Sequence, residues 1–117
     1  MAASRTPAHL GADGRKLWRD ISTKYELRAD ELRVLADACA EADLVARLDE
    51  ALSVADVMIA GSMGQAVVNP LFAEVRQHRN TLAGLLAKLK LPDDGESGED
   101  RSTKAREAAN SRWRRGA

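Results

Sequence analysis

The groups in this 117-residue chain that could carry chemistry are few: one cysteine, two histidines, a run of carboxylates and two clusters of basic side chains. Cys39 stands alone, so it can form neither an internal disulfide nor a Cys-based zinc site. It falls on an apolar helical stripe and reads as a small buried hydrophobe. His9 lies in a Pro-containing N-terminal stretch. His78 falls on another apolar seam, where a packing or interface role suits it better than that of a general base. The carboxylates Asp93, Asp94, Glu96, Glu99 and Asp100 are interleaved with Gly and Ser, which cannot hold ligand geometry, so no metal site is expected. The phosphate-binding GxxxxGKS/T pattern, HExxH and GxSxG are all missing. The chain reads as non-catalytic, with no cofactor and no metal.

Phosphate binding is the chemistry that remains. Arg15, Lys16 and Arg19 crowd one predicted helix, and Lys104, Arg106, Arg112, Arg114 and Arg115 end the chain. Grouped cations of this kind are an electrostatic footprint for nucleic acid, and Trp113 among them can stack on bases or, with Arg112, anchor in a partner's groove. The plain alternative for Arg15, Lys16 and Arg19 is a solvated helix face. The balance of 18 basic and 18 acidic residues hides this segregation. Residues 29–56 are strongly acidic, residues 92–100 carry acids and no base, and residues 101–117 are basic.

These groups must be held by helices. With 21 Ala and 14 Leu against four aromatic residues, the composition favours helix over sandwich or barrel. Leu17, Trp18, Ile21 and Tyr25 mark one face of a first helix starting near Asp13 as N-cap. Asp30 is expected to cap a second helix running to about Ala55. Its apolar positions are Leu32, Leu35, Cys39, Ala42, Val45, Leu48 and Leu52, and Asp37, Glu41, Asp43, Arg47 and Glu50 lie on the opposite face. Val57–Ala60 and Gln65–Val68 flank a Gly-bounded turn and predict a β-hairpin. Asn69-Pro70 signals the start of a third helix ending near Leu89, before Leu91-Pro92. Its seam is Leu71, Val75, His78, Leu82, Leu85 and Leu89, with Phe72 and Leu86 beside it.

The expected protein is therefore mainly α: three main helices, a small β-hairpin between the second and third, and a flexible C-terminal tail. Residues 1–10 are expected to be disordered, 11–91 to form a helical oligomerisation core, and 92–117 an acidic linker followed by a basic tail. No apolar run is long enough to span a bilayer, and the N-terminus has no signal-peptide core.

The order of these motifs resembles a known family. Gly14-Arg15-Lys16-Leu17-Trp18-Arg19-Asp20-Ile21, with Tyr25-Glu26-Leu27 leading into Asp30-Glu31-Leu32, is similar to the opening of tailed-bacteriophage terminase small subunits. Gly61-Ser62-Met63-Gly64-Gln65, running through Ala66-Val67-Val68 into Asn69-Pro70-Leu71, resembles that family's hairpin and following helix start. The basic ending Lys104 to Arg115 is similar to the tails of many members. The resemblance covers roughly residues 11–115. It implies a non-catalytic protein, acting in the cytoplasm of an infected bacterial host, that recognises double-stranded viral DNA. It also implies assembly into a homo-oligomeric ring and delivery of the DNA to a large subunit holding the ATPase and nuclease. Many members carry an N-terminal helix-turn-helix; here the second helix is long and acidic and does not match one.

On this reading, Arg15, Lys16 and Arg19 and the basic tail are the candidate DNA contacts, while Trp113 and Arg112 can instead dock on the large subunit. Leu48, Leu52, Val57, Ile59, Val67, Val68, His78 and Leu82 are the candidate oligomer contacts. The acidic second helix is expected to face Arg76, Arg79 or Lys88 of a neighbouring copy. A small helical DNA-binding transcriptional regulator and a structural adaptor that does not bind DNA are the alternatives.

Overall fold

The structure, a computed structural model, describes residues 5–92. Three helices follow in order: α1 (Ala12–Ser22), α2 (Ala29–Leu52) and, after a two-stranded antiparallel sheet, α3 (Pro70–Leu89). The strands are β1 (Met58–Ala60) and β2 (Ala66–Val68). This is the expected mainly helical architecture with a hairpin between the second and third helices. The expected linker and tail, including Lys104, Arg106, Arg112, Trp113, Arg114 and Arg115, lie outside the described residues.

Helix α2 is the spine. Its 24 residues span roughly 36 Å at about 1.5 Å per residue. Both α1 and α3 pack on it. The chain turns back after each helix: the Tyr25 hydroxyl, just before α2, donates to the Pro92 carbonyl just after α3 at 3.2 Å. At the other end, Asn69 N–H donates to the Val57 carbonyl at 2.7 Å. Helices α2 and α3 are therefore antiparallel.

The core gathers where all three helices meet. Leu10, Trp18, Ile21, Tyr25, Leu27, Leu35, Cys39 and Leu89 form one buried cluster. The seam residues Trp18, Ile21, Leu35, Cys39, Val75 and Leu89 are buried as their spacing requires. Leu10 corrects the expectation of a disordered N-terminus reaching residue 10. It is 2% exposed, because the bend that lets Leu10 N–H reach the Pro7 carbonyl turns its side chain into the core.

The helix starts differ from expectation in their caps. Gly11, not Asp13, is the N-cap of α1, and the Gly11 side supplies no capping oxygen. The oxygens come from α2: Asp43 accepts from Gly11 N–H and from Gly14 N–H, each at 2.7 Å. A carboxylate at a helix N-terminus also meets the positive end of the helix dipole. Gly14 makes this approach possible, since a Cβ there would lie 2.5 Å from Asp43 Oδ2 and 2.7 Å from the Cys39 carbonyl oxygen.

For α2 the N-cap is Arg28, not Asp30, and Glu31 reaches back to accept from Arg28 N–H at 2.8 Å. That bond satisfies the N-cap donor, so helical geometry begins one residue before Asp30. The helix ends at Leu52, not Ala55, with the Ser53 hydroxyl donating to the Glu50 carbonyl at 2.6 Å. Helix α3 starts as predicted, with Asn69 Oδ1 accepting from Leu71 N–H at 3.0 Å and Pro70 in the first turn.

Candidate nucleic-acid and oligomer surfaces

Two surfaces come out of this fold, at opposite ends of the spine. The first is the outer side of α1. Its inner stripe, Gly14, Trp18, Ile21 and Ser22, is buried, which turns Arg15, Lys16 and Arg19 outward. Lys16 pairs with Asp20 one turn on at 2.9 Å, an exposed i,i+4 contact. The side chains of Arg15 and Arg19 form no hydrogen bond or salt bridge with any described residue. Near the end of α1 the Lys24 ammonium sits 5.4 Å from the centre of the Tyr25 ring. The three basic residues expected to meet phosphate are thus brought together on one helix; Asp20, whose pKa is held low chiefly by its hydrogen bond to Lys16, also feels the Arg19 charge.

The second surface is the hairpin. Strand register pairs Met58 with Val68, Ile59 with Val67 and Ala60 with Ala66. Successive residues point to opposite faces, so Met58 and Val68 lie on one side and Ile59 and Val67 on the other. Both faces are apolar. Neither strand packs extensively on a helix. Val57, Met58 and Val68 are 50–59% exposed, and Val54 and Met63 are more exposed still. A lone two-stranded hairpin with two apolar faces is marginal in water, and apolar side chains clustered at one end mark an interaction surface.

The residues around the strands explain their own spacing. The Gln65 side chain folds into the turn and accepts from Met63 N–H at 3.0 Å. A Cβ on Gly61 would lie 2.8 Å from the Gln65 amide nitrogen. Gly64 takes φ +83°, which side chains rarely adopt. The Gly-Ser-x-Gly-Gln pattern is therefore a turn built around one glutamine. Asn69 closes the base: its N–H and its side-chain amide donate to the Val57 and Asp56 carbonyls, while its side-chain oxygen caps α3.

Of the candidate oligomer contacts, Val57, Ile59 and Val68 are exposed on the hairpin, whereas Leu48, Leu52, Val67 and Leu82 are half-buried. Beyond Asp43, α1 no longer covers the spine except where His9–Asp13 approach Ala46 and Arg47. There α2 and α3 form a two-helix arm too thin to bury Leu48, Leu52 and Leu82 fully. Val54, Met58 and Met63 belong with this surface and were not singled out from sequence. For Met58 the signal was available: Val57-Met58-Ile59-Ala60 is a continuous apolar run, the pattern of a strand covered on both faces.

His78 is half-buried between helices, in a packing position. It joins the two arm helices of one chain, with Nδ1 2.6 Å from Glu41 Oε1 of α2 and Nε2 3.5 Å from Glu74 Oε1. The Glu41 hydrogen bond, with the charge of Glu41 and Glu74, raises its pKa above 6.5. Arg79 likewise pairs with Asp49 of its own α2 at 2.6 Å. Glu41 and Asp43 therefore do not belong to a solvated acidic face; both are half-buried and partnered. The antiparallel packing of α2 on α3 brings these charges together within the chain.

Cys39 is fully buried, and burial pushes its thiol up to about 12, so it stays a neutral packing group. Among the described residues no cluster of His, Cys, Asp or Glu is placed to hold a metal ion. Among them, too, no helix is long and apolar enough to cross a membrane. Comparison with known protein families, with curated proteins and with solved structures finds no match.

Proposed function

We propose that this chain is the small subunit of a tailed-phage terminase, a non-catalytic protein that binds viral DNA and passes it to the large ATPase–nuclease subunit. Copies join through the hairpin and the thin arm into a ring, which repeats the weak cationic face of α1 around a circle. Repetition raises avidity without any new contact. The observation that carries this reading is the hairpin: a Gly61-to-Gln65 turn, two apolar faces without a helix to cover them, and a direct run through Asn69 into α3. A second copy supplies the cover that the protomer lacks. Burial of these Val, Ile and Met side chains would provide the association energy, at about 25 cal/mol per Å² of apolar surface.

The experiment is a pull-down of the large subunit and a duplex-DNA shift assay on the same purified material, with its mass in solution measured in parallel. Oligomers that shift DNA and retain the large subunit support the proposal. A protein that shifts DNA as a dimer and ignores the large subunit is a regulator instead.

A further inference from the structure

A cleft of about 470 Å³ lies on one flank of α1, lined by the Thr6–Ala8 segment, by Arg15, Arg19 and Thr23, and at its inner side by the buried Ser22 and Trp18. Trp18, only 4% exposed, forms part of its wall. Its two guanidinium groups are the ones without a hydrogen bond or salt bridge to any described residue. Pro92, three residues past the end of α3, has its carbonyl held at 3.2 Å by the hydroxyl of Tyr25, itself three residues past the end of α1. The residues that follow, 93–100, hold five carboxylates and no base.

We propose that residues 93–100 dock back into this cleft and shield Arg15 and Arg19. Charge decides the occupant: the basic residues 101–115 would be repelled by the same two arginines, whereas 93–100 match them. The reach is sufficient. From Thr23 to Arg15 is roughly 12 Å along the helix, at about 1.5 Å per residue. Eight extended residues span up to about 26 Å. The bond from Tyr25 to Pro92 ties the start of the segment to the residue three positions past α1. A tether this short holds the segment at an effective concentration of about 1 mM or more, enough for a weak ionic contact to be populated.

The consequence is an intrachain competitor for phosphate, and this part rests on the DNA-binding reading given above. With the docked state favoured severalfold, DNA must displace the acidic segment before it meets α1. Displacement becomes easier when the residues beyond 100 are engaged elsewhere.

The test uses the full chain with Ser97→Cys carrying a nitroxide. Cys39 is fully buried, so the label goes to position 97 alone. Broadening of the Arg15, Arg19 and Thr23 amide signals is expected. It should vanish at high salt and in the Arg15→Gln/Arg19→Gln variant. Broadening confined to residues near Tyr25 overturns the docking. Broadening that appears only when labelled and isotope-enriched chains are mixed overturns its intrachain form.

DNA affinity is read separately, on a chain with Asp93→Asn, Asp94→Asn, Glu96→Gln, Glu99→Gln and Asp100→Asn. Affinity at low salt should rise about threefold or more, as release of a tethered competitor predicts. That gain should disappear when Arg15→Gln and Arg19→Gln are added. A gain that survives those two substitutions overturns the competition. Broadening of α1 without any DNA binding upholds the docking and overturns the DNA reading alone.

Discussion

Replacing Gly14 by alanine adds one methyl group where α1 crosses α2. The new carbon would lie 2.5 Å from Asp43 Oδ2 and 2.7 Å from the Cys39 carbonyl oxygen. Asp43 can swing away, but only by giving up its bonds to the Gly11 and Gly14 N–H groups. The Cys39 carbonyl is helix backbone and cannot swing, so the two helices must part by about 0.7 Å to reach ordinary contact. Overpacking of this kind costs about 1–3 kcal/mol. Loss of the cap adds about 1–2 kcal/mol, and the better helix propensity of alanine returns about 1 kcal/mol. The expected net loss is about 1–4 kcal/mol, or a fall in Tm of about 5–25 °C for a domain of this size. Urea and thermal unfolding followed by circular dichroism measure it. Gly84 is the internal control: a methyl there meets nothing within 4 Å, so Gly84→Ala should stabilise by about 0.5–1 kcal/mol. If Gly14→Ala is stabilising to the same degree, the close crossing of α1 on α2 is wrong.

Three further outcomes follow from the two surfaces and the charge between the arm helices. Met58→Lys with Val68→Glu makes one hairpin face polar while keeping an attractive cross-strand pair. Light scattering should show the assembly falling towards single chains, with helical unfolding little changed. Arg15→Gln with Arg19→Gln should weaken duplex binding and reduce the log–log salt slope by about 2, since each phosphate contact contributes about 0.9; an unchanged slope places the contacts elsewhere. His78 has a folded pKa above 6.5, so its protonated link to Glu41 and Glu74 contributes fully below about pH 6.5. That contribution is lost as pH rises through the higher folded value. Stability of the wild-type chain should therefore decline over that window. His78→Gln should remove that part of the pH dependence, and an identical profile in the variant rules the link out.

Periodicity made the helices readable because one face of each must be buried: Trp18 and Ile21 on α1, Leu35 and Cys39 on α2, Val75 and Leu89 on α3. The start of α3 was readable because Asn69 and Pro70 act on their own backbone. Contacts made across the chain were not. Asp43 has the look of an ordinary surface acid in the sequence, yet it caps a helix 29 residues away. Glu41 and Arg79 likewise find partners on another helix of the same chain, which no local pattern announces. Leu10 sits outside any helical period, so its burial depends on the bend at Pro7. The candidate surfaces divide in the same way. The cations of α1 were visible as a cluster, whereas the exposure of Met58 and Val68 depends on the hairpin standing clear of the helices.

The most direct test of the assembly is the mass of the purified full chain by sedimentation equilibrium across micromolar concentrations at moderate salt. A single chain weighs 12.7 kDa. The proposed ring predicts a discrete multiple of that mass, reduced by Met58→Lys with Val68→Glu. A mass that stays at one chain throughout contradicts it.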